Sequence, residues 1–215
     1  MAHIERESVQ NVYQKIAKNF SDKRYNQWSW ITEFINEANK CPYRINVLDV
    51  GCGNGRNMEG WNNASVYGLD SCREFIKMCI QKDKEVVEAD MTSIPFPNDY
   101  FDFLMSIASF HHLSTEKRRQ EALLEMRRVI KHNGQLLLSV WSLKQPPDTK
   151  QAKTITQYGD IYVEYNNNGS KHDRYYHIFK LDKLQQLFHS TGWEIETHFW
   201  DYGNEVFVLN PIKIE

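Results

Sequence analysis

Apolar residues along this chain follow two rhythms. From about residue 5 to 20, Val9, Val12, Tyr13, Ile16, Ala17 and Phe20 recur at helical spacing, and a second helix is predicted from Trp28 to Asn39. Short apolar runs then alternate with helical stretches. The runs Ile45–Val50, Ser65–Asp70, Glu85–Ala89, Phe101–Ser106 and Gln135–Trp141 read as buried strands. A helix with Phe75, Met78 and Cys79 on one face follows the second run. A longer one, Thr115–Ile130, carries Leu123, Leu124, Met126 and Val129. Ser114 or Thr115 caps its start, and Lys131 to Gly134 are expected to close its end. Leu181–Ser190 reads as a helix with Gly192 after it, and Trp193–Trp200 with Glu205–Leu209 as a closing antiparallel pair. This alternation predicts an α/β fold with a mainly parallel, doubly wound sheet. No repeat or linker interrupts it, so residues 1–215 are expected to form a single domain.

One interval breaks the rhythm. Lys144–His177 contains Pro146-Pro147, Asn166-Asn167-Asn168-Gly169 and few aliphatic residues. It exceeds an ordinary connection between strand and helix, so it is expected to be a substrate-side insertion; the alternative is a solvated surface loop. Lys144, Lys150, Lys153, Lys171 and Arg174 there stand against Asp148, Asp160, Glu164 and Asp173, a modest basic excess. Over the whole chain the net charge is −2. That argues against grip on nucleic acid through bulk charge alone, without excluding a local basic face or a basic partner. Cys41, Cys52, Cys72 and Cys79 form no CxxC pair, so no metal is expected in this chain and its thiols should be reduced. A charged N-terminal stretch and the absence of any apolar run near ~20 residues predict neither a secretory leader nor a membrane span. The expected location is cytoplasmic, with nuclear as the alternative.

Candidate chemistry starts where the first strand ends. Val47-Leu48-Asp49-Val50 runs into Gly51-Cys52-Gly53-Asn54-Gly55, and Asp70 follows at the tip of the next strand. Glycines after a buried strand allow a sharp turn and close approach to a ligand. The spacing is not the dinucleotide G-x-G-x-x-G, and no phosphate-binding lysine follows. A nucleoside without phosphates fits better. Here the chain resembles the class I methyltransferases that use S-adenosylmethionine (SAM). The resemblance implies a Rossmann-like fold, with a seven-stranded, mainly parallel sheet, helices on both faces and an N-terminal helical lid. It puts Gly51 and Gly53 against the methionine part, with Asp49, Cys52 and Ser71 beside them. Asp70 would take the ribose, or else only cap a helix. Asp90 and Met91 would hold adenine, or else only shape a turn. Ile107 and Ala108 would pass under the methionine chain, with Ser106 and His111 also counted among the cofactor-binding residues and His111 and His112 facing the acceptor side. Tyr13 and Arg24 would cover the cofactor from the lid; core and surface roles are their alternatives.

Four further segments narrow the resemblance. They are Val12-Tyr13 through Phe20-Ser21 with Arg24, His111-His112-Leu113-Ser114-Thr115 with Arg118-Arg119, Gly134 through Trp141 to Gln145, and Arg174-Tyr175-Tyr176-His177-Ile178-Phe179. Together they resemble the eukaryotic tRNA wobble-uridine carboxymethyl methyltransferases, in their stand-alone form. The resemblance implies transfer of a methyl group to the carboxylate of 5-carboxymethyluridine in tRNA, with a small zinc-binding activator protein as heterodimer partner. An edge position for Glu85–Ala89 would suit such a partner, unless its own Lys84, Glu85 and Glu88 protect it. A carboxylate is already ionised at neutral pH, so alignment and exclusion of water should carry catalysis. The acceptor-side candidates are His112, Arg174, Tyr175, His177 and, before the last strand, Asn204. One departure stands out. Asp160-Ile161-Tyr162-Val163-Glu164-Tyr165 replaces the aliphatic-proline-tryptophan segment usual in that family before R-Y-Y-H. Two alternatives remain on the same fold: a methyltransferase for a small acid or quinone, and a non-catalytic SAM- or RNA-binding subunit.

Overall fold

Side-chain alternation along each strand decides which layer of helices it meets. The computed structural model describes residues 1–22 and 26–213. Its strands are β1 (Ile45–Val50), β2 (Ala64–Asp70), β3 (Glu85–Glu88), β4 (Phe101–Ile107), β5 (Ile130–Trp141), β6 (Gly159–Asn167), β7 (Ser170–Ile178), β8 (Trp193–Asp201) and β9 (Asn204–Pro211). Seven of them form one sheet in the order β3-β2-β1-β4-β5-β9-β8. The strands β1 to β5 run parallel, whereas β9 is antiparallel to both β5 and β8. The expected edge position of β3 is met.

The helices are α1 (His3–Glu5), α2 (Asn11–Asp22), α3 (Ser29–Ala38), α4 (Arg73–Ile80), α5 (Glu116–Val129), α6 (Lys150–Thr154) and α7 (Leu181–Ser190). On one face of the sheet, Leu48, Leu104, Leu136 and Leu138 pack with Leu123 and Met126 of α5 and Phe188 of α7. On the other, Met105 and Leu137 pack with Trp30, Ile31 and Ile35 of α3. Neighbouring residues on β4 and β5 thus serve opposite layers, as period-two geometry requires. Each fully buried leucine contributes ~1.5–3 kcal/mol.

Two elements differ from expectation. Thr115 caps α5 as predicted, its hydroxyl accepting from the Arg118 amide at 3.3 Å. Lys131–Gly134, however, is not a closing turn. The chain enters β5 at Ile130, which pairs with Phe101 across a register shift. Gly134 lies within this strand, and a Cβ there would stand 2.6 Å from the Asp102 carbonyl oxygen. Its glycine answers a close backbone approach, not a helix end.

The insertion is also more ordered than the sequence reading expected. β6 and β7 pair along their whole length as a separate two-stranded sheet. Ile161 and Val163 face inward with Tyr176 and Ile178, while residues between them face out. Asn168 and Gly169 close the hairpin with φ of +52° and +96°, the conformation of a two-residue type I′ loop. This hairpin meets the lid. The Tyr165 hydroxyl donates to Asn19 Oδ1 at 2.7 Å, and Asn167 Nδ2 donates to the Lys15 carbonyl at 3.3 Å. Lid and hairpin therefore roof the carboxyl ends of β1, β2, β4 and β5, where an open α/β sheet holds its ligands.

Candidate functional site

A cavity of about 320 Å³ opens under this roof. Its floor is the turn after β1. Gly51 has φ +82°, and a Cβ on it would collide with the Ser109 side chain at 2.5 Å. Strand β4's following loop therefore presses against bare backbone. A Cβ on Gly53 would meet nothing within 4 Å, so that backbone faces open space. Asp70 ties the floor together. Its Oδ2 accepts from the Gly53 amide at 2.8 Å and its Oδ1 from the Cys72 amide at 2.8 Å. The second bond closes a turn ahead of α4, whose N-cap is Cys72 and not Asp70, and the same carboxylate also lines the cavity. Burial pushes its pKa up to about 6. Cys52, Ser71, Met91, Ala108 and His111 line the same space.

Three cofactor-side candidates stand differently. Asp90 reaches the cavity, but its oxygens are engaged. Oδ1 accepts from the Thr92 amide, and Oδ2 from Arg118 Nη2 at 2.6 Å. Arg118 also donates to Glu5 at 2.6 Å, and Glu5 in turn accepts from Ser114. This buried chain bolts the start of the lid to the sheet. Ser106 sits behind the wall, its hydroxyl against that of Ser109 at 3.0 Å. Asp49 is fully buried just before the turn and does not line the cavity; neither carboxylate oxygen has a hydrogen-bond partner. Burial, with the Asp70 charge nearby, raises its pKa to about 7. Arg24 lies outside the described residues.

The opposite wall is aromatic and cationic. Arg174 is only 4% exposed, with its guanidinium 6.0, 5.1 and 5.3 Å from the ring centres of Tyr13, Tyr165 and Tyr176. It makes no ion pair among the described residues, and its Nε has no hydrogen-bond partner. Tyr176 stacks on Trp141 at 4.1 Å and 6°. His112 Nδ1 donates to the Tyr175 carbonyl at 2.7 Å, so the neutral ring offers its Nε2 as acceptor to the Tyr13 hydroxyl at 3.1 Å. Burial pushes the His112 pKa down to about 3, which keeps it uncharged. Asn204 also lines the cavity, and its buried Oδ1 is unpartnered.

Tyr175 and His177 fall outside. Alternation along β7 sends Arg174 and Tyr176 inward and their neighbours outward. There the Tyr175 hydroxyl and His177 Nδ1 both donate to Asp160 Oδ1 at 2.6 Å, with Arg119 behind at 3.9 Å. Their place beside the acceptor is therefore corrected: they brace the hairpin. Sequence reasoning also missed lining residues. Glu5 meets Ser114 across 109 positions, and no local pattern signals such a pairing. Tyr202, in the turn between β8 and β9, carries no motif at all.

The comparisons with known proteins agree with this geometry. A family model described as a methyltransferase domain matches residues 48–138. The chain is 33% identical over 220 residues to the tRNA (carboxymethyluridine(34)-5-O)-methyltransferase of Schizosaccharomyces pombe, covering 93% of this chain and 94% of that protein. The chain belongs to the tRNA carboxymethyluridine methyltransferase family. A relative of the same name from Arabidopsis thaliana is 38% identical over 75% of this chain, which spans 39% of that protein's length. Among solved structures, the Haloferax volcanii complex between the Trm112 methyltransferase activator and a methyltransferase matches with TM-score 0.66. At 14% identity over 99% of both chains, that match shows the shared methyltransferase fold.

Proposed function

We propose that this protein methylates the carboxylate of 5-carboxymethyluridine at the wobble position of tRNA, using SAM. The observation that carries the reading is a buried guanidinium, Arg174, with no ion pair among the described residues, facing an acidic glycine floor across the cavity. Asp49 lies beneath the glycine turn and Arg174 inside the aromatic wall. Burying a guanidinium without a carboxylate partner is costly, so the aromatic wall is suited to an anion that the ligand brings. SAM fits the first wall. Its ammonium and sulfonium suit a floor lined by Asp70, with Asp49 buried behind it, and Gly53 leaves room for its chain. Each Asp70 oxygen keeps accepting capacity for a ribose hydroxyl. An RNA-borne carboxylate fits the second.

SAM, held by the Gly51–Gly53 turn and Asp70, would supply an electrophilic methyl group to the acceptor carboxylate. The protein's own residues align and dry the site. Arg174 holds one carboxylate oxygen and leaves the other free to attack. His112, neutral and fixed by Tyr175 and Tyr13, borders the path without competing for the negative charge. Tyr176 and Trp141 exclude water. No general base is needed, because the acid is ionised at neutral pH.

The open edge of β3 supports a partner protein. Tyr67 to Asp70 pair one side of it, and its other side has no strand in the sheet. We infer that a small activator protein adds there. Labelled SAM should methylate tRNA from cells lacking this enzyme, and more strongly with the activator present. Turnover of small carboxylic acids with none on tRNA would overturn the reading, as would SAM binding without any transfer.

A further inference from the structure

The sharp turn between β8 and β9 holds an aromatic ring at the mouth of the cavity in an unfavourable backbone conformation. Asp201 pairs with Asn204, so Tyr202 and Gly203 alone form the loop. Their φ values are +39° and +87°. A two-residue loop with both φ positive is ordinarily Asn-Gly or Asp-Gly, and a bulky side chain there is a genuine outlier. Among the described residues, the other non-glycine positions with positive φ are Asn63, Asp83, Asp99, Asn168 and Ala108. Four are the Asn and Asp that tolerate it. Ala108 and Tyr202 are the exceptions, and both line the cavity. Strained residues that persist at a site point to a use for the strain.

The turn is also held firmly. Gln145 Nε2 donates to the Gly203 carbonyl at 2.8 Å, and so does the Ser142 amide at 2.8 Å. On the other side Trp30 Nε1 donates to Asp201 Oδ2 at 3.0 Å. Yet the Tyr202 side chain that this frame presents is 67% exposed, the largest value among the exposed large hydrophobic residues. The rim continues in aromatic character. Trp30 stacks on Trp28 at 5.4 Å, and the Arg56 guanidinium lies 4.5 Å over Trp28. Trp28 and Arg56 line the cavity with Tyr202.

We propose that Tyr202 is a stacking platform for an unpaired nucleobase next to the target uridine. The inference rests on the RNA reading above. Single-stranded loops are recognised by splaying bases onto aromatic rings, and a ring pre-set by rigid backbone loses little freedom on binding. The target base enters toward Arg174, and its neighbour covers Tyr202 at the rim. Gln145 is then a positioning residue, acting through the Gly203 carbonyl.

The test uses the full chain with the activator protein and an anticodon stem-loop RNA carrying 5-carboxymethyluridine. Tyr202→Asn removes the ring and relieves the backbone. Its melting temperature should equal or exceed that of the wild type, its S-adenosylhomocysteine affinity should hold, and its KM for the stem-loop should rise about ten-fold, ~1.4 kcal/mol. Tyr202→Phe should restore the wild-type KM, because the ring and not the hydroxyl does the stacking. A Tyr202→Asn variant with unchanged KM would overturn the proposal. So would one that loses stability or S-adenosylhomocysteine affinity, since the ring would then be a structural or cofactor-side element. A wild-type enzyme that ignores the stem-loop but methylates small acids would remove the RNA reading itself, and this proposal with it.

Discussion

The two walls of the cavity are built in opposite ways. The glycine wall draws on short segments at successive strand ends: Gly51 to Gly53, then Asp70 and Ser71. Its geometry is local, made of backbone turns and amide-to-carboxylate bonds such as Gly53 to Asp70 at 2.8 Å. The aromatic wall is assembled from afar. Arg174 meets Tyr13 across 161 positions, and Tyr13 meets His112 across 99. Behind the first wall lies an acid, Asp49, without a hydrogen-bond partner, and the second holds a buried guanidinium with no ion pair among the described residues. A cofactor common to many methyltransferases is met by geometry one strand end can encode. The proposed acceptor would be met by residues that only the complete fold collects.

Arg174 offers the sharpest way to break this comparison. Arg174→Met keeps the length and removes the charge. Methyl transfer to tRNA should fall at least 100-fold, ~2.7 kcal/mol or more of lost transition-state stabilisation. Thermal stability should hold or rise, because replacing an unpaired buried charge with an apolar chain removes a desolvation cost. S-adenosylhomocysteine affinity should be unaffected, since the glycine wall is untouched. Turnover at the wild-type rate would place the acceptor elsewhere.

Asp70→Ala strikes the other wall. A carboxylate that accepts charged hydrogen bonds from ribose hydroxyls is worth ~1.5–3 kcal/mol, so calorimetry should show cofactor affinity falling roughly ten- to a hundred-fold. Some stability should go with it, because the Gly53 and Cys72 amides lose their acceptor. A folded variant with unchanged affinity would leave Asp70 as a turn residue only.

The asymmetry between the walls also explains what the sequence disclosed. Most strands and helices and the glycine turn follow from apolar periodicity and from glycine placement, which are local properties; the seven-stranded sheet and the edge position of β3 came from the family resemblance. The helix of the lid was legible from the spacing of Val9 to Phe20, and its covering role came from the resemblance. The hairpin β6–β7 was missed although its marks were present: polar–apolar alternation over residues 160–165 and an Asn168-Gly169 pair at the tip. Its many polar residues let it read as a substrate-side insertion with no strands assigned. Tyr175 and His177 were misplaced for the same reason. Without a strand assignment nothing said that neighbours in Arg174-Tyr175-Tyr176-His177 point to opposite faces. Glu5 and Tyr202 had no legible mark, because what recruits them is distant in sequence or set by backbone strain.

Asp49 gives a smaller effect with a definite sign. Its pKa rises from 3.8 to about 7 on folding, because burial disfavours the charge. Between those values the folded state binds more protons than the unfolded chain, so stability falls as pH rises through that window. The contribution is complete below about pH 4 and is lost as the pH passes about 7. Asp70, raised to about 6, adds a slope of the same sign. Asp49→Asn should therefore flatten the decline in melting temperature between pH 5 and pH 8 without abolishing it. An identical slope in the variant would mean that Asp49 is already ionised or solvated in the native protein.

The smallest effect is expected behind the aromatic wall. His177 hydrogen-bonds to Asp160 at 2.6 Å, beside the parallel bond from Tyr175, on the face of β7 turned away from the cavity. The interaction is partly exposed, since Asp160 keeps 54% of its side chain accessible. His177→Ala should then cost only ~0.5–1.5 kcal/mol of stability, the net worth of one such hydrogen bond. Because Tyr175 still holds Asp160, the hairpin should keep its register and Arg174 its place. Turnover on tRNA should stay within two-fold of the wild type. A loss of turnover comparable to that of Arg174→Met, in a variant that melts normally, would mean that the outer face of the hairpin takes part in the chemistry. The division between a bracing face and a binding face along β7 would then have to be redrawn.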